Sequence, residues 1–564
     1  MADVEWATIK DFSPGIQQIV SPNHPIGAAQ ETRTYKCHSI KDGALAPLPS
    51  MQQTIPHDLD LLSPGATLLS EEYRIAGLCV NNPVFWTDNE TGIYQNNSEI
   101  YVAFEHWEDD GGTEQQVLTV CRYKRNLNTP VWETLDTRIY AQTFDPEVRP
   151  KKCEFITIRS NPASVTDAGP MVVCWAFAGW AQCFPDPTTP TVNSTAFLPG
   201  DNVDDVASGG LVGPDGIVAH QGRAVQFPLA VLAVGDDQLY TTNESLFWSI
   251  LNDVETMDTT IGSSYFKTIV SYDNPTGYQV YQSLTANELL LIKARGGALV
   301  VSGNLNDFQV RNLPNVRGTG HSMNRGSVSP KGFVYPTDAG GVWVWGGGDE
   351  SEHITKYMEP DFWRPPAVSP ANDPTPTENL WGYQPSKCTD WNQFVMFPNN
   401  WLWDTDFDGW WKIDDGADFV IHKWEADWRG LNCYGTPSGF TTDTDAVLYE
   451  FNKTIPASNY SWESHPLPFS VERNTEIRNI IPVTTGDGTV QIVLRSVNDQ
   501  TGTITKTFTV DAAKIPNVQD WSTSIKGTHH TIQIISIGAD TDTPAPTVHE
   551  IRIGYISSQM IERV

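Results

Sequence analysis

Few residues in this 564-residue sequence are spaced for chemistry. The best-spaced set is Asp404-Thr405-Asp406-Phe407-Asp408-Gly409, with Asp415 further on. Carboxylates at alternate positions ahead of a glycine can wrap an oxygen-seeking ion, and the spacing matches the opening of a calcium loop. Two features oppose that reading. The last ligand would be Asp in place of the longer Glu, and Trp410-Trp411-Lys412 follows at once as the return strand of a hairpin. The preferred expectation is a solvated Asp/Gly turn between Trp401-Leu402-Trp403 and Trp410-Trp411, with calcium as the alternative and no metal site assigned.

Other searches return less. No Gly-rich loop ends in Gly-Lys-Ser/Thr, and neither G-x-S-x-G nor H-E-x-x-H occurs, so the common nucleotide, hydrolase and zinc-protease signatures are missing. Gly318-Thr319-Gly320-His321-Ser322 sets a Ser beside a His, but neighbours in a strand point to opposite faces. Many carboxylates and aromatics could hide a glycosidase pair, yet sequence cannot place two carboxylates across a sugar, and the repeated Ser-x-Asp-x-Gly-x-x-Trp boxes of sialidases are absent. The expectations are no catalytic, cofactor-binding or metal residues, no cofactor, and a chain that is not an enzyme.

The elements that would have to position any site are β-strands. Twenty Trp, 18 Tyr and 22 Phe, with 43 Gly and 39 Pro, exclude disorder and point to many short strands joined by tight turns. Hairpin signals recur. Ile100–Phe104 and Gln116–Cys121 flank Glu108–Gly112, Glu288–Ile292 meets Ala298–Val301, and Lys331–Tyr335 meets Val342–Trp345. Met171–Phe177 and Leu229–Val234 are apolar runs of buried-strand length, and Leu239-Tyr240 is set before Leu246–Trp248. Leu251–Met257 is the best helical candidate, one or two turns at most. The unit repeats at uneven intervals of roughly 40 to 60 residues, near propeller-blade length, although serial β-sandwiches would share this texture.

Three regions follow from changes in pattern. Residues 1–71 are Pro-rich and aperiodic, an extended arm with one or two short strands held by packing onto something else. Residues 72–455 form a β-propeller-like core, interrupted by the Pro/Asn/Thr-rich stretch 365–376. Residues 456–564 alternate Thr, Ile and Val as half-buried antiparallel strands do, giving a C-terminal β-sandwich-like domain. The fold class is all-β.

Charge narrows the partners. With 68 Asp plus Glu against 36 Lys plus Arg, the formal charge is −32, unsuited to gripping phosphates but suited to a surface that DNA passes without specific binding. The opening Met1–Trp6 is neither basic nor apolar, and no run approaches the roughly 20 apolar residues of a membrane span. Cytoplasmic synthesis without membrane insertion is expected. Eight scattered cysteines with no C-x-x-C pair point to free, mostly buried thiols. The Asn193-Ser194-Thr195 triplet is then a chance glycosylation match.

The arm carries a resemblance. Asp11-Phe12-Ser13-Pro14-Gly15-Ile16, Gly27-Ala28-Ala29-Gln30, Tyr35-Lys36-Cys37 and Gly43-Ala44-Leu45 resemble the opening of bacteriophage tail-associated structural proteins. Gln221-Gly222-Arg223, Gly341–Trp345 and Tyr460-Ser461-Trp462-Glu463 are similar to later blocks of tail nozzle or hub proteins of short-tailed phages and minor tail proteins of actinobacteriophages. The resemblance implies a virion structural protein of the tail region, assembled as a ring of copies of itself with other tail proteins around passing DNA, in a conduit or platform. It carries over no catalytic residue. The alternative is a glycan-binding or glycan-cleaving propeller recognising the host cell surface.

Overall fold

Alternating apolar residues broken by Gly, Asn and Asp dictate strands and tight turns. In the computed structural model, regular structure among the described residues consists of β-strands and two single 3-10 turns, Glu31–Arg33 and Lys41–Gly43. The description covers the strands and most turns between residues 4 and 557. Segments 19–26, 58–66, 142–152, 161–168, 185–194, 197–215, 228–244, 249–264, 269–277, 359–385 and 558–564 and several shorter ones lie outside it. The expectations at Leu229–Val234, Leu239-Tyr240, Leu251–Met257, Gly318–Ser322, Asp415 and stretch 365–376 fall wholly or partly on such residues.

The protein is an all-β propeller carrying a β-sandwich. Seven four-stranded antiparallel meanders follow one another among the described residues. The first blade runs from Tyr73–Thr87 to Val131–Ala141, the second from Cys153–Ser160 to Thr195–Ala196, and the third from Gly216–His220 to Tyr265–Thr268. The fourth runs from Tyr278–Gln282 to Asp307–Leu313, the fifth from Ser327–Ser329 to Glu352–His353, and the sixth from Thr389–Trp391 to Gly409–Lys412. Successive blades meet chiefly through their leading strands, and the seventh packs back on the first. The ring is closed, which leaves no open sheet edge around the axis.

Local sequence explains the hairpins. In the first blade Asp110 pairs with Thr113 across Gly111-Gly112, whose φ angles of 62° and 91° are those of a primed two-residue turn that only Gly adopts without strain. Alternation then sorts the strand Tyr94–Asp110. Ile100, Val102 and Phe104 pack with Tyr434 and Leu448 of the seventh blade. Tyr101 and Ala103 pack with Cys153 and Phe155 of the second. Both faces of a blade are buried, so aromatics fill the wedges between blades.

The seventh blade is completed from the N-terminal region. Lys423–Ala426, Asn432–Thr436 and Ala446–Pro456 supply three strands, and Pro49–Pro56 pairs antiparallel with the last as the fourth. The expected arm is thus divided. Glu5–Ile9 pairs with Thr547–Ser557, and Cys37–Ser39 with Leu45–Pro47 extends the same sheet. Glu5–Ile9, Leu45–Pro47 and Pro49–Pro56 read as irregular in sequence because each takes a partner strand that is hundreds of residues away.

The sandwich has two sheets. One contains Thr547–Ser557, Thr475–Thr485 and Trp521–Gly527 with the N-terminal strands; the other has the order Asn459–Glu463, His529–Gly538, Gly488–Val497, Gly502–Val510. Between them lie Ile477, Ile480, Ile492, Leu494, Ile534, Ile551 and Ile553, all buried. That core is continuous with Trp401, Trp403 and Trp411 of the sixth blade. Residues 12–18 and 27–37 join the two bodies. Ile16 donates to the Trp410 carbonyl (2.7 Å), Tyr35 to Ser461 (2.9 Å) and Lys36 to Lys412 (2.8 Å), while Phe12 sits edge-on to Trp462 at 5.0 Å.

Candidate functional site

A closed propeller brings distant residues to its axis, and here it gathers ionisable groups that no motif announces. The entries to the leading strands of blades five to seven, Asn324-Arg325, Ser386-Lys387 and Lys423, pair in parallel with one another. Two lysines from this ladder reach the first blade. Lys423 is 3% exposed; its Nζ donates to the Ile75 carbonyl. Burial pulls its pKa down from 10.5 to about 7, with Glu105 and Cys153 opposing. Lys387 donates to the Leu78 carbonyl at 3.4 Å and pairs with Glu425. Burial works against its charge too, but Glu425 prevails and holds its pKa above the ordinary value. On the leading strand of blade six, burial raises the Asp390 carboxyl to about 7.

The first blade holds further buried charge in satisfied networks. Arg122 meets Glu133 at 2.6 Å and Glu99 at 3.5 Å, and Tyr101 donates to Glu99 at 2.9 Å. Gln115 donates to Glu108 at 2.6 Å, and His106 sits 3.3 Å from the same carboxylate. These groups tie strand to strand, which is a structural role.

The Asp404–Gly409 segment is the turn between Trp401–Asp404 and Gly409–Lys412. Its carboxylates do not converge. Asp404 is fully buried, accepting from the Asp406 backbone at 3.0 Å and from Gln393 at 3.3 Å. Asp408, with φ 58°, pairs outward with Lys331 of blade five. Among the described residues no group of three His, Cys, Asp or Glu is placed to hold a metal ion. Six cysteines, Cys37, Cys79, Cys121, Cys153, Cys388 and Cys433, are free and buried; burial pushes the Cys121 thiol up to about 12, so it stays protonated and inert.

Two clefts flank the arm. One, of about 190 Å³, lies between blade seven and the sandwich and is lined by Lys36, Met51, Phe419 and Phe451. The other, of about 200 Å³, lies between blades five and six beneath the arm and is lined by Trp403, Phe407, Trp410 and Tyr357 with Glu352 and Asp408. Sequence reasoning placed Asp408 in a solvated turn, with a calcium loop as the alternative, and missed its part here, because the cleft joins three segments that only the blade arrangement brings together.

No protein-family model and no curated protein matches the chain. Solved structures do. A glycoside hydrolase family 43 arabinoxylan arabinofuranohydrolase from Bacillus subtilis matches with 9% identity over 90% of this chain and 99% of its own, at a TM-score of 0.24. An exo-beta-1,3-galactanase from Phanerochaete chrysosporium matches with 10% identity over 85% and 100%, at 0.22. The WD40 domain of SCAP from fission yeast matches with 8% identity over 86% and 98%, at 0.20. The first two are named as glycan-cleaving enzymes, against the expectation of a chain that is not an enzyme, and that expectation is withdrawn. The physical reason is general. A carboxylate pair in a propeller is assembled from different blades, so the lack of a linear motif excludes nothing.

Proposed function

We propose that the chain is a structural component of a bacteriophage virion, tail-associated, which assembles with copies of itself and other tail proteins into a conduit or platform. The observation that carries this reading is the arm. The described parts of the arm, residues 12–18 and 27–37, lie between the outer strand of blade six and the sandwich and bond to both, so propeller, arm and sandwich share one apolar core. Such a block transmits load without hinging, as a particle component must.

Two further features support it. Lys387 and Lys423 reach across the parallel ladder to the first blade, which fills that part of the axis with side chains. A DNA path would then run between copies, past a surface whose net charge of −32 repels phosphate. Val4 and Trp6, at 40% and 52% exposure, leave apolar surface at the start of the strand Glu5–Ile9 and just before it for a neighbouring copy. The test is mass spectrometry of purified phage particles, with immunogold microscopy and mass measurement of the isolated protein. Labelled tails and a ring-sized assembly are the expected results. A protein absent from particles and monomeric at high concentration would overturn the proposal.

A further inference from the structure

We propose that the cleft between blades five and six binds one neutral pyranose unit of a glycan against the exposed ring of Tyr357, with Phe407, Asp408 and Glu352 at its sides and the buried Trp403 and Trp410 closing it behind. This goes beyond a structural role and stands on the cleft's own chemistry.

Size and composition fit that occupant. The space of about 200 Å³ takes about one sugar ring and is too small for a folded partner. A pyranose has apolar C–H faces and a polar hydroxyl edge, so it is recognised by an aromatic surface beside mixed donors and acceptors. Tyr357 is 48% exposed, with the Lys356 ammonium 5.3 Å from its ring centroid. Asp408 is paired with Lys331, whose Nζ also lies 5.5 Å from the centre of the Trp403 ring. The two carboxylates are thus offset by two lysines, which favours a neutral sugar over an anionic one. Trp403 and Trp410, at 1% and 4% exposure, form the apolar back of the cleft and leave recognition to Tyr357 and the polar side chains at its mouth.

A peptide strand is disfavoured for a separate reason. The outer strand of blade six, the natural edge for strand addition, is already engaged: Gly15 bridges to Trp410 in parallel and Ile16 donates to its carbonyl. Only side chains remain to recognise a ligand here.

Saturation-transfer NMR on the full chain with the methyl glycosides of glucose, galactose, mannose and N-acetylglucosamine tests the assignment. At least one should show transfer concentrated on ring C–H protons. Tyr357→Ala and Asp408→Asn should each weaken binding by about tenfold with unchanged melting temperature and near-UV circular dichroism. Tyr357 is largely exposed, so its variant is expected to fold. No transfer from any of the four sugars, equal transfer in both folded variants, or a preference for an anionic sugar such as sialic acid would each overturn the inference. Membership of the virion is read by a different experiment, so the two proposals fail separately.

Discussion

Replacing Lys423 by Met should stabilise the protein at neutral pH, although it deletes a hydrogen bond. In the folded chain burial holds this ammonium near pKa 7 against an ordinary 10.5, a gap worth roughly 4–5 kcal/mol at about 1.4 kcal/mol per pH unit. Between pH 7 and 10.5 the unfolded chain keeps a proton that the folded chain has released. Stability therefore rises with pH across that window, and the full penalty is felt below pH 7. Methionine removes the penalty but leaves the Ile75 carbonyl without this donor, at a cost of about 1–3 kcal/mol. The net expectation at pH 7 is a gain of about 1–4 kcal/mol. Near pH 10.5 it should shrink to zero or reverse, because only the lost hydrogen bond remains. Urea unfolding of both proteins at pH 7 and pH 10 reads this directly. A variant less stable at pH 7, or a difference equal at both pH values, refutes the reasoning.

Trp462→Ala opens the joint where Phe12 meets the sandwich; a loss of about 3–5 kcal/mol is expected, with limited proteolysis cutting first before residue 38. Asp404→Ala leaves the Gln393 amide and the Asp406 backbone without their acceptor and should cost about 1–3 kcal/mol. The wild-type melting temperature should not respond to calcium or to a chelator, and a rise of several degrees with calcium would reinstate the ion-binding loop. His530 is buried between Thr475 and Ser496, and burial holds its pKa near 4. As pH falls from about 6.5 to about 4 the unfolded chain gains a proton first, so roughly 3–4 kcal/mol of stability should disappear. His530→Gln should flatten that part of the urea-midpoint profile, and an unchanged profile would rule His530 out as the cause.

The strands were legible where the chain pairs with itself locally. The Asp110–Thr113 turn, Lys331–Tyr335 against Val342–Trp345 and the alternation after residue 474 all stand where the pattern puts them, because their signals lie within one hairpin. The arm was not legible in the same way. Glu5–Ile9 and Pro49–Pro56 take their partners from residues 551–555 and 446–456, and no short window contains that information. The candidate site divides along the same line. The Asp404–Gly409 turn can be read from its flanking Trp residues. The axial lysines and the aromatic cleft exist only once blades five, six and seven stand side by side, since each supplies a residue or two.

The latch on blade seven also has a consequence in time. Met51 pairs with Phe451, so a strand made early by the ribosome has no partner until most of the chain has been made. At about 5–20 residues per second the wait is roughly 20 to 80 s. Throughout it the N-terminal segment is an unpaired β-edge, the kind of surface that joins the wrong chain. The prolines at both ends of that segment, Pro49 and Pro56, deny backbone donors to such a pairing. The first strands to be made are then among the last to be placed, and the yield of folded protein should depend on how quickly the rest of the chain follows them.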